Sequence, residues 1–339
     1  MSGLVRFAVV GLNHEHIYGQ TRMLLEAGAE LVSFFAAEDG LSAAFQKEFP
    51  QAKRARAQEE ILDNNAIQLI VSAAIPSERS ALGIQAMRRG KDFFCDQPGF
   101  TTLEQLAEAR RVRAESRRFY AIYFGERFAS RTTLKAGELV VSGAIGRVVQ
   151  TLNLGPHQAN AAKRPGWFFK RAQCGGILCD SASHGVDQFL YLTHSTTAEV
   201  VASQVGNLKF PQYPEFEDFG DMMLRSDQAT GYIRVDWHSP DGLGTWGDGR
   251  LFLLGTEGFI EARKNCDLAG RLGAEHLFLC DKEGVRYFDC KEVKLSCGTQ
   301  VLKDVLERTE TAMSQAHVFL ASELSLRAEA LAHRLGNLK

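Results

Sequence analysis

Apolar and polar residues alternate along residues 5–124 in a pattern that predicts strands and helices in turn. Continuous apolar runs of strand length begin near residues 5, 30, 67, 92 and 118, and amphipathic segments typical of helices lie between them. Continuous apolar strands separated by such helices indicate a parallel sheet that is covered on both faces. The connecting segments are long enough for right-handed crossovers. The pattern therefore predicts a doubly wound, Rossmann-type α/β domain over residues 1–123.

The pattern changes after Phe124. Residues 131–141 and 177–194 have the periodicity of helices, and several alternating strand patterns joined by Asp- and Gly-containing turns follow between residues 198 and 290. A single helical run over residues 305–336 closes the chain. Successive strands of this kind indicate a large open, mostly antiparallel sheet. The sequence thus predicts a second, α+β domain over residues 124–339.

Length and composition limit the classes of function. A chain of 339 residues is too long for one ordinary core, which agrees with two domains. The formal net charge of -2 gives no electrostatic reason to expect binding to nucleic acid or to an anionic membrane. No apolar run approaches the roughly 18 residues of a membrane span. The seven cysteines, which form no CxxC pair, favour a reducing cytoplasm over a disulfide-bonded protein.

Three strand ends of the first domain carry Gly or Pro, at residues 11–16, 74–79 and 95–100. Ligands of doubly wound sheets bind at the carboxyl ends of the strands, so these segments predict a binding cleft. The first segment has only one glycine of the dinucleotide fingerprint G-x-G-x-x-G, at Gly11, with Asn13 and His16 in the other two places.

Two histidines in this first segment also permit a metal site. His14 and His16 are two residues apart, so on a helix they would diverge, and no third ligand is evident from the sequence. We therefore predict no metal, and expect one of the two histidines to donate to a cofactor phosphate or to line the substrate cleft.

A fourth segment, "CGGILCDSASHGVD", carries the clearest candidate for acid–base chemistry. Asp180, His184 and Asp187 stand at i, i+4 and i+7, which predicts one face of a helix. A carboxylate one turn from an imidazole can fix its tautomer and raise its basicity, as a general base requires. The alternative is a helix capped by Asp180 with His184 hydrogen-bonded in the core, and the spacing alone leaves both interpretations open.

The four segments, in this order, resemble the Gfo/Idh/MocA family of NAD(P)-dependent oxidoreductases, which includes glucose–fructose oxidoreductase and inositol dehydrogenase. "GGILCDSASHGVD" is similar to the family signature "GGGxLxDxGxHxxD", and "CDQP" stands where the family has its "EKP" turn. "FGERF" and "SGAIGRVV" resemble the segments that open the second domain of the family. The similarity covers nearly the whole chain.

The resemblance implies hydride transfer between NAD or NADP and the hydroxyl-bearing carbon of a sugar, polyol or similar small molecule. It also implies assembly into a homodimer or homotetramer through the open sheet. In the site, His184 corresponds to the proton-accepting histidine, Asp180 to the aspartate that positions the substrate or the histidine, and Gln97 to the lysine of the "EKP" turn. We expect the dinucleotide to be bound by these residues: Gly11, Leu12, Asn13, His14, Glu15, His16, Ala36, Ala74, Pro76, Arg79 and Asp96.

Several positions depart from the family pattern. Gln97 can hold a hydroxyl group or a carbonyl group by hydrogen bonds, but it can neither exchange a proton nor supply a positive charge. Ala36 occupies the place of the acidic residue that binds the ribose, and either Glu38 or Asp39 could substitute for it. Arg79 stands where a histidine is frequent and could face a phosphate or an acidic substrate.

Three further residues are candidates for contact with the substrate: Trp167, Arg127 and His157. Trp167 could stack on a sugar ring, with packing in an aromatic core as the alternative. Arg127 could equally form a structural ion pair, and His157 could lie in a surface loop.

The sequence leaves two other functions open. The chain could be a catalytically silent relative that binds dinucleotide or sugar as a sensor, or it could hold NAD tightly and support a redox-neutral modification of sugars. Gln97 and the altered glycine turn favour the sensor, whereas the Asp180–His184 pair favours an enzyme.

Overall fold

The computed structural model describes residues 3–336, and the chain divides into two compact units. The first unit ends at Tyr123 and also includes Ser296–Phe319, and the second comprises Phe124–Leu295 and the residues from Leu320 onward. The predicted single boundary therefore misplaces Ser296–Phe319, which packs with the first unit. Among the described residues, no helix has the length and apolar character to cross a membrane.

The first unit alternates strands and helices along the chain. Its strands are β1 (Arg6–Val10), β2 (Glu30–Phe35), β3 (Lys53–Arg54), β4 (Leu69–Ser72), β5 (Asp92–Asp96) and β6 (Tyr120–Tyr123). Its helices are α1 (His16–Glu26), α2 (Asp39–Glu48), α3 (Gln58–Leu62), α4 (Pro76–Arg88) and α5 (Leu103–Ser116). Within residues 3–336 these strands form a six-stranded parallel sheet in the order β3-β2-β1-β4-β5-β6, as the doubly wound prediction requires.

The second unit contains α6 (Gly125–Phe128), α7 (Arg131–Val141), α8 (Arg171–Cys174) and α9 (Ala182–Thr193). Its strands are β7 (Val148–Pro156), β8 (Glu199–Gly206), β9 (Phe219–Arg225), β10 (Thr230–Asp236), β11 (Arg250–Gly255), β12 (Gly258–Arg263), β13 (His276–Asp281), β14 (Gly284–Asp289) and β15 (His333–Arg334). Over the described range they pair in the order β14-β13-β12-β11-β7-β10-β9-β8-β15. The sheet is mostly antiparallel, with parallel pairs at β7–β10 and β8–β15. Its core includes Leu192 of α9 and Leu253 and Ile260 of neighbouring strands.

The end of the chain contains two helices where the sequence pattern predicts one. α10 (Cys297–Glu307) ends at Arg308, which has a left-handed φ of 58°, and α11 (Gln315–Leu331) begins after a break. Arg308 Nη1 donates to Asp92 Oδ1 at 2.8 Å. The side chain of Gln315 bonds the backbone of Tyr120 on the outer strand β6. These long-range polar contacts explain why the segment belongs to the first unit.

Candidate functional site

The glycine-containing turn of residues 11–16 follows β1 directly. Gly11 has a φ of +83°, and a Cβ atom at this position would lie 2.4 Å from the Cβ atom of Ala74, so the turn requires glycine. Gly11 N donates to Phe35 O at 2.9 Å and His14 N donates to Ala73 O at 3.0 Å, which fixes the turn between the ends of β2 and β4. Leu12 is buried in the core, whereas Glu15 is exposed and occupies the N-cap position of α1.

A cavity of about 490 Å³ lies at these strand ends. Gly11, Asn13, Ala36, Glu38 and Ala74 line it, together with residues from the first turns of α4. Pro76 begins α4 and is buried. The glycine turn, the helix ends and a volume within the usual range of ligand pockets fit the adenosine half of a dinucleotide.

Glu38 is the acidic group that the cavity offers in place of Ala36. Its Oε1 atom accepts a hydrogen bond from Asn13 Nδ2 at 2.8 Å. Asn13 does not adopt a positive φ, so its side chain and not a glycine-like backbone distinguishes this position of the turn. Asp39, the other acidic candidate, forms an ion pair with Arg54 at 2.6 Å. Glu78 also lines the cavity, and burial together with the charge of Glu38 raises its pKa.

Asp96 contacts both histidines of the turn. Its Oδ1 atom lies 3.0 Å from His16 Nδ1 and its Oδ2 atom 3.2 Å from His14 Nδ1, while its side chain is almost fully buried. Burial alone would raise the pKa of Asp96, but the charge of His16 and the hydrogen bonds from both histidines hold it well below its usual value. Asp96, which we expected to bind the dinucleotide, is therefore a partner of both histidines.

His14, His16 and Asp96 also form a candidate metal site, in which Asp96 is the third ligand that the sequence did not reveal. Their ligand atoms lie within 4.8 Å of one another, and His14 precedes α1, so the argument that helical histidines diverge does not apply. Arg79 Nη2 lies 3.5 Å from Asp96 Oδ2 and already balances the charge of this carboxylate. A divalent cation would remain uncompensated at this buried place, so the geometry favours a hydrogen-bonded cluster over a metal centre.

Arg79 was expected to face an anion, and this expectation is wrong. Its side chain is 1% exposed, and its guanidinium donates to the backbone oxygens of Ala74, Asp96, Gln97 and Pro98. Ala74 follows β4, whereas the other three carbonyl groups lie at the end of β5. Arg79 therefore fixes the segment that carries Gln97, which is itself 8% exposed.

The signature segment of the second unit begins with two glycines in the left-handed region. Gly175 and Gly176 both have a φ of +92°, and a Cβ atom on Gly176 would lie 2.3 Å from the carboxyl carbon of Glu329. Glu217 Oε2 accepts from Ile177 N at 2.9 Å, and Glu329 Oε2 accepts from Leu178 N at 3.2 Å. Two buried carboxylates thus hold the backbone that leads into α9.

α9 begins later than the sequence pattern predicts. The helix starts at Ala182 with Ser181 at its N-cap, so Asp180 lies in the preceding turn and not on the helical face of His184. His184 stands in the first turn of α9, 9% exposed, with its ring 6.2 Å from that of Phe124.

Arg127 and Asp187 form a buried ion pair. Arg127 Nε and Nη2 donate to the two carboxylate oxygens of Asp187, each at 2.8 Å, and the two side chains are 6% and 0% exposed. The guanidinium also lies 4.2 Å from the ring centroid of Phe128. Arg127 therefore has the structural role that the sequence left open as the alternative to substrate contact.

His157 lies beside His184. Both residues line a small cavity of about 20 Å³ within the second unit. The ring of His157 stacks on Trp246 with a centroid distance of 4.1 Å, and burial lowers its pKa to about 3, against the opposing effect of Glu126. Trp167 is partly exposed, whereas its neighbours Phe168 and Phe169 belong to an aromatic cluster with Phe216.

Glu126 and Lys264 also line the cavity of His184, and sequence reasoning missed both. Glu126 Oε1 and Lys264 Nζ are 2.8 Å apart, although 138 positions separate them in the chain. Burial alone would raise the pKa of Glu126, but the charges of Lys264 and then His184 outweigh it and lower the pKa to about 2. Glu126 is therefore ionised at neutral pH.

Known proteins are similar to this chain in both sequence and structure. Residues 133–261 match the model of the GFO/IDH/MocA C-terminal domain. A protein from Erwinia carotovora atroseptica SCRI1043 that is described as an oxidoreductase has 46% sequence identity and a TM-score of 0.96, with 98% of this chain and 100% of that chain covered. The chain belongs to the Gfo/Idh/MocA family.

Two other known proteins are similar to this Gfo/Idh/MocA chain. The scyllo-inositol 2-dehydrogenase (NAD(+)) of Bacillus subtilis (strain 168) is 25% identical over 291 residues, which cover 84% of this chain and 79% of the relative. A levoglucosan dehydrogenase in complex with NADH and levoglucosan shares the fold, with 17% identity, a TM-score of 0.80 and 97% and 98% of the two chains covered. Among the expected catalytic positions of this Gfo/Idh/MocA protein, Gln97 lies in the first unit and His184 in the second.

Proposed function

We propose that this protein is an NAD(P)-dependent oxidoreductase that interconverts a hydroxyl-bearing carbon and a carbonyl group in a sugar, a polyol or a related small molecule. The observation that carries the proposal is the signature histidine, His184, in a pocket lined by polar side chains within a chain of this family. The names of its relatives, an inositol dehydrogenase that uses NAD(+) and a levoglucosan dehydrogenase, support both the cofactor and the substrate class.

His184 is the proton acceptor in this proposal. A bound nicotinamide would supply the acceptor for the hydride of the carbon that is oxidised. His184 takes the hydroxyl proton, since an imidazole is suited to general-base chemistry near neutral pH. The family resemblance implies that Asp180 positions the substrate or His184, and Gln97 can hydrogen-bond a hydroxyl group or a carbonyl group.

The silent-sensor alternative is less well supported. It rests on Gln97 and on the altered glycine turn, but Gly11 retains the conformation that the turn needs and Asn13 is bonded to Glu38. His184 also retains its place in the signature helix. The scyllo-inositol 2-dehydrogenase and the levoglucosan dehydrogenase to which the chain is similar are named as enzymes.

We infer that the enzyme prefers NAD to NADP. Glu38 and Glu78 bring two carboxylates into the cavity at the end of β2, and a 2′-phosphate placed there would be repelled. We expect NADH to bind at least about tenfold more tightly than NADPH, a difference of about 1.4 kcal/mol. Glu38→Ser should reduce this preference, whereas Glu60→Ser, which changes an exposed carboxylate outside the cavity, should not. Titration of cofactor fluorescence measures each affinity.

Two results of this titration would count against the proposal. Tighter binding of NADPH than NADH to the unchanged protein would contradict the assigned role of Glu38. Failure of both cofactors to bind at about millimolar concentration, the upper end of ordinary substrate constants, would contradict the proposed function itself.

We further infer that the enzyme acts in the cytoplasm as a homodimer or homotetramer. The seven cysteines form no CxxC pair in the sequence, which agrees with a reducing compartment. The exposed apolar side chains of the second unit include Val201, Met223 and Val285, all on strands of its large sheet, and a second copy of the chain would cover such side chains.

A further inference from the structure

The ion pair of Glu126 and Lys264 lies in the same pocket as the signature histidine. Glu126 belongs to α6 and Lys264 follows β12 directly, so two distant segments bring the two charges together at 2.8 Å. Both side chains are partly buried, with 20% of Glu126 and 23% of Lys264 exposed. An ion pair in such surroundings is screened less than one at the surface.

The pocket leaves Lys264 as the cation that can meet a substrate oxygen. Arg250 also lines it and is bonded to Asp248 Oδ2 at 2.6 Å. The ammonium group of Lys264 has three N–H donors, and its bond to Glu126 uses one of them. The cavity of about 20 Å³ has room for one water molecule or one hydroxyl group. His184 and His157 form part of its wall, so a hydroxyl group that enters meets a proton acceptor and a cation together.

The proposed reaction requires a positive charge near the reacting oxygen. As the hydroxyl group loses its proton, negative charge develops on the oxygen, and a fixed cation stabilises it more effectively than water does. In the family this charge is expected from the lysine of the "EKP" turn, but Gln97 is neutral. Within the pocket of the signature histidine, Lys264 can supply it.

We propose that Lys264, held in place by Glu126, binds the reacting oxygen of the substrate beside His184 and supplies the positive charge that Gln97 lacks. This inference rests on the proposed function. In the oxidation, the carbon loses its hydrogen with both electrons to the nicotinamide, and the hydroxyl proton passes to His184. The alcohol becomes a carbonyl group and NAD⁺ becomes NADH, while Lys264 keeps its protons and contributes its charge.

The pair also defines the charge of the substrate. Glu126 places a carboxylate beside Lys264, and Asn153, Gln188 and Ser130 add neutral hydrogen-bonding groups to the same wall. The pocket therefore suits the hydroxyl group of an uncharged substrate, and a carboxylate or phosphate on the reacting part of the substrate would face Glu126. Neutral sugars and polyols should react, and sugar acids and sugar phosphates should not.

The test compares variants of Lys264 in the full-length protein. myo-Inositol, scyllo-inositol, levoglucosan and D-glucose serve as neutral probes, with D-glucuronate and glucose 6-phosphate as anionic ones, and NADH formation from NAD⁺ is measured. Lys264→Met should lower kcat for the best neutral probe about 10²–10³-fold, the usual effect of removing a group that stabilises a developing oxyanion. Lys264→Arg keeps the charge and should remain within about tenfold of the unchanged enzyme.

Controls separate this role from a structural one. Lys282→Met removes an exposed lysine of the same unit and should leave kcat unchanged. Calorimetric titration of the best probe into the protein without cofactor gives a second readout, in which Lys264→Met should weaken binding about tenfold or more, or about 1.4 kcal/mol. If Lys264→Met does not fold, as its thermal unfolding will show, Lys264→Gln provides the same comparison.

Each contrary outcome has a distinct meaning. Values of kcat and probe affinity for folded Lys264→Met within about threefold of those of the unchanged enzyme, a difference below 1 kcal/mol, would overturn the role of Lys264 and leave the proposed function intact. Preference for an anionic probe would overturn the inferred substrate class. If the unchanged protein binds no NADH, the proposed function fails, and the inference fails with it.

Discussion

Replacing His184 by alanine should lower kcat for polyol oxidation by about 10²–10⁴-fold, because the reaction loses its general base. His184 stands in the first turn of α9, in the pocket that also holds Lys264. The fall should be smaller at high pH, where hydroxide in solution can accept the proton. Steady-state rates of NADH formation across a range of pH measure the effect.

A matched control lies at the other end of the same helix. His194 is the exposed C-cap residue of α9 and has a φ of +52°, a conformation that asparagine tolerates. His194→Asn should therefore leave kcat unchanged. If His184→Ala retained the full rate while the protein remained folded, the assignment of the base would be wrong.

Arg127→Met should destabilise the protein by about 3–5 kcal/mol, the usual effect of breaking a buried ion pair on one side. The substitution leaves Asp187, which is 0% exposed, without the guanidinium that bonds both of its oxygens. Urea denaturation, followed by circular dichroism, measures the loss in the free energy of unfolding.

The double variant Arg127→Met/Asp187→Leu tests the cause of this loss. Removing both charges leaves no unpaired group, so the double variant should recover most of the stability that the single variant loses. A loss below about 1 kcal/mol for Arg127→Met, as for an exposed ion pair, would contradict the structural role of this pair.

Local patterning was sufficient to predict the architecture of the first unit. Continuous apolar runs such as Leu69–Ser72 have to be buried on both faces, and helices between them permit only a parallel arrangement. The mostly antiparallel sheet of the second unit follows equally from alternating strands and their turns. The segment Ser296–Phe319 could not be placed in this way, since its attachment depends on contacts such as Arg308 with Asp92, far apart in the chain.

The candidate site was harder to predict from the sequence, because it also depends on contacts between residues that are far apart in the chain. The cluster of His14, His16 and Asp96 joins residues about 80 positions apart, and no local spacing signals it. The burial of Arg79 against backbone carbonyls likewise has no periodic signature. The family signature did locate His184, but helical spacing misplaced Asp180, because α9 begins only at Ala182.

Transfer of deuterium tests the central claim most directly. The neutral polyol that gives the highest rate, deuterated at its ring carbons, is oxidised with NAD⁺, and the reduced cofactor is examined by nuclear magnetic resonance. Direct hydride transfer predicts deuterium at the C4 position of the nicotinamide, with no loss of label to water. Absence of NADH with every neutral polyol, or NADH that carries no deuterium, would contradict the assignment of this protein as a polyol or sugar oxidoreductase.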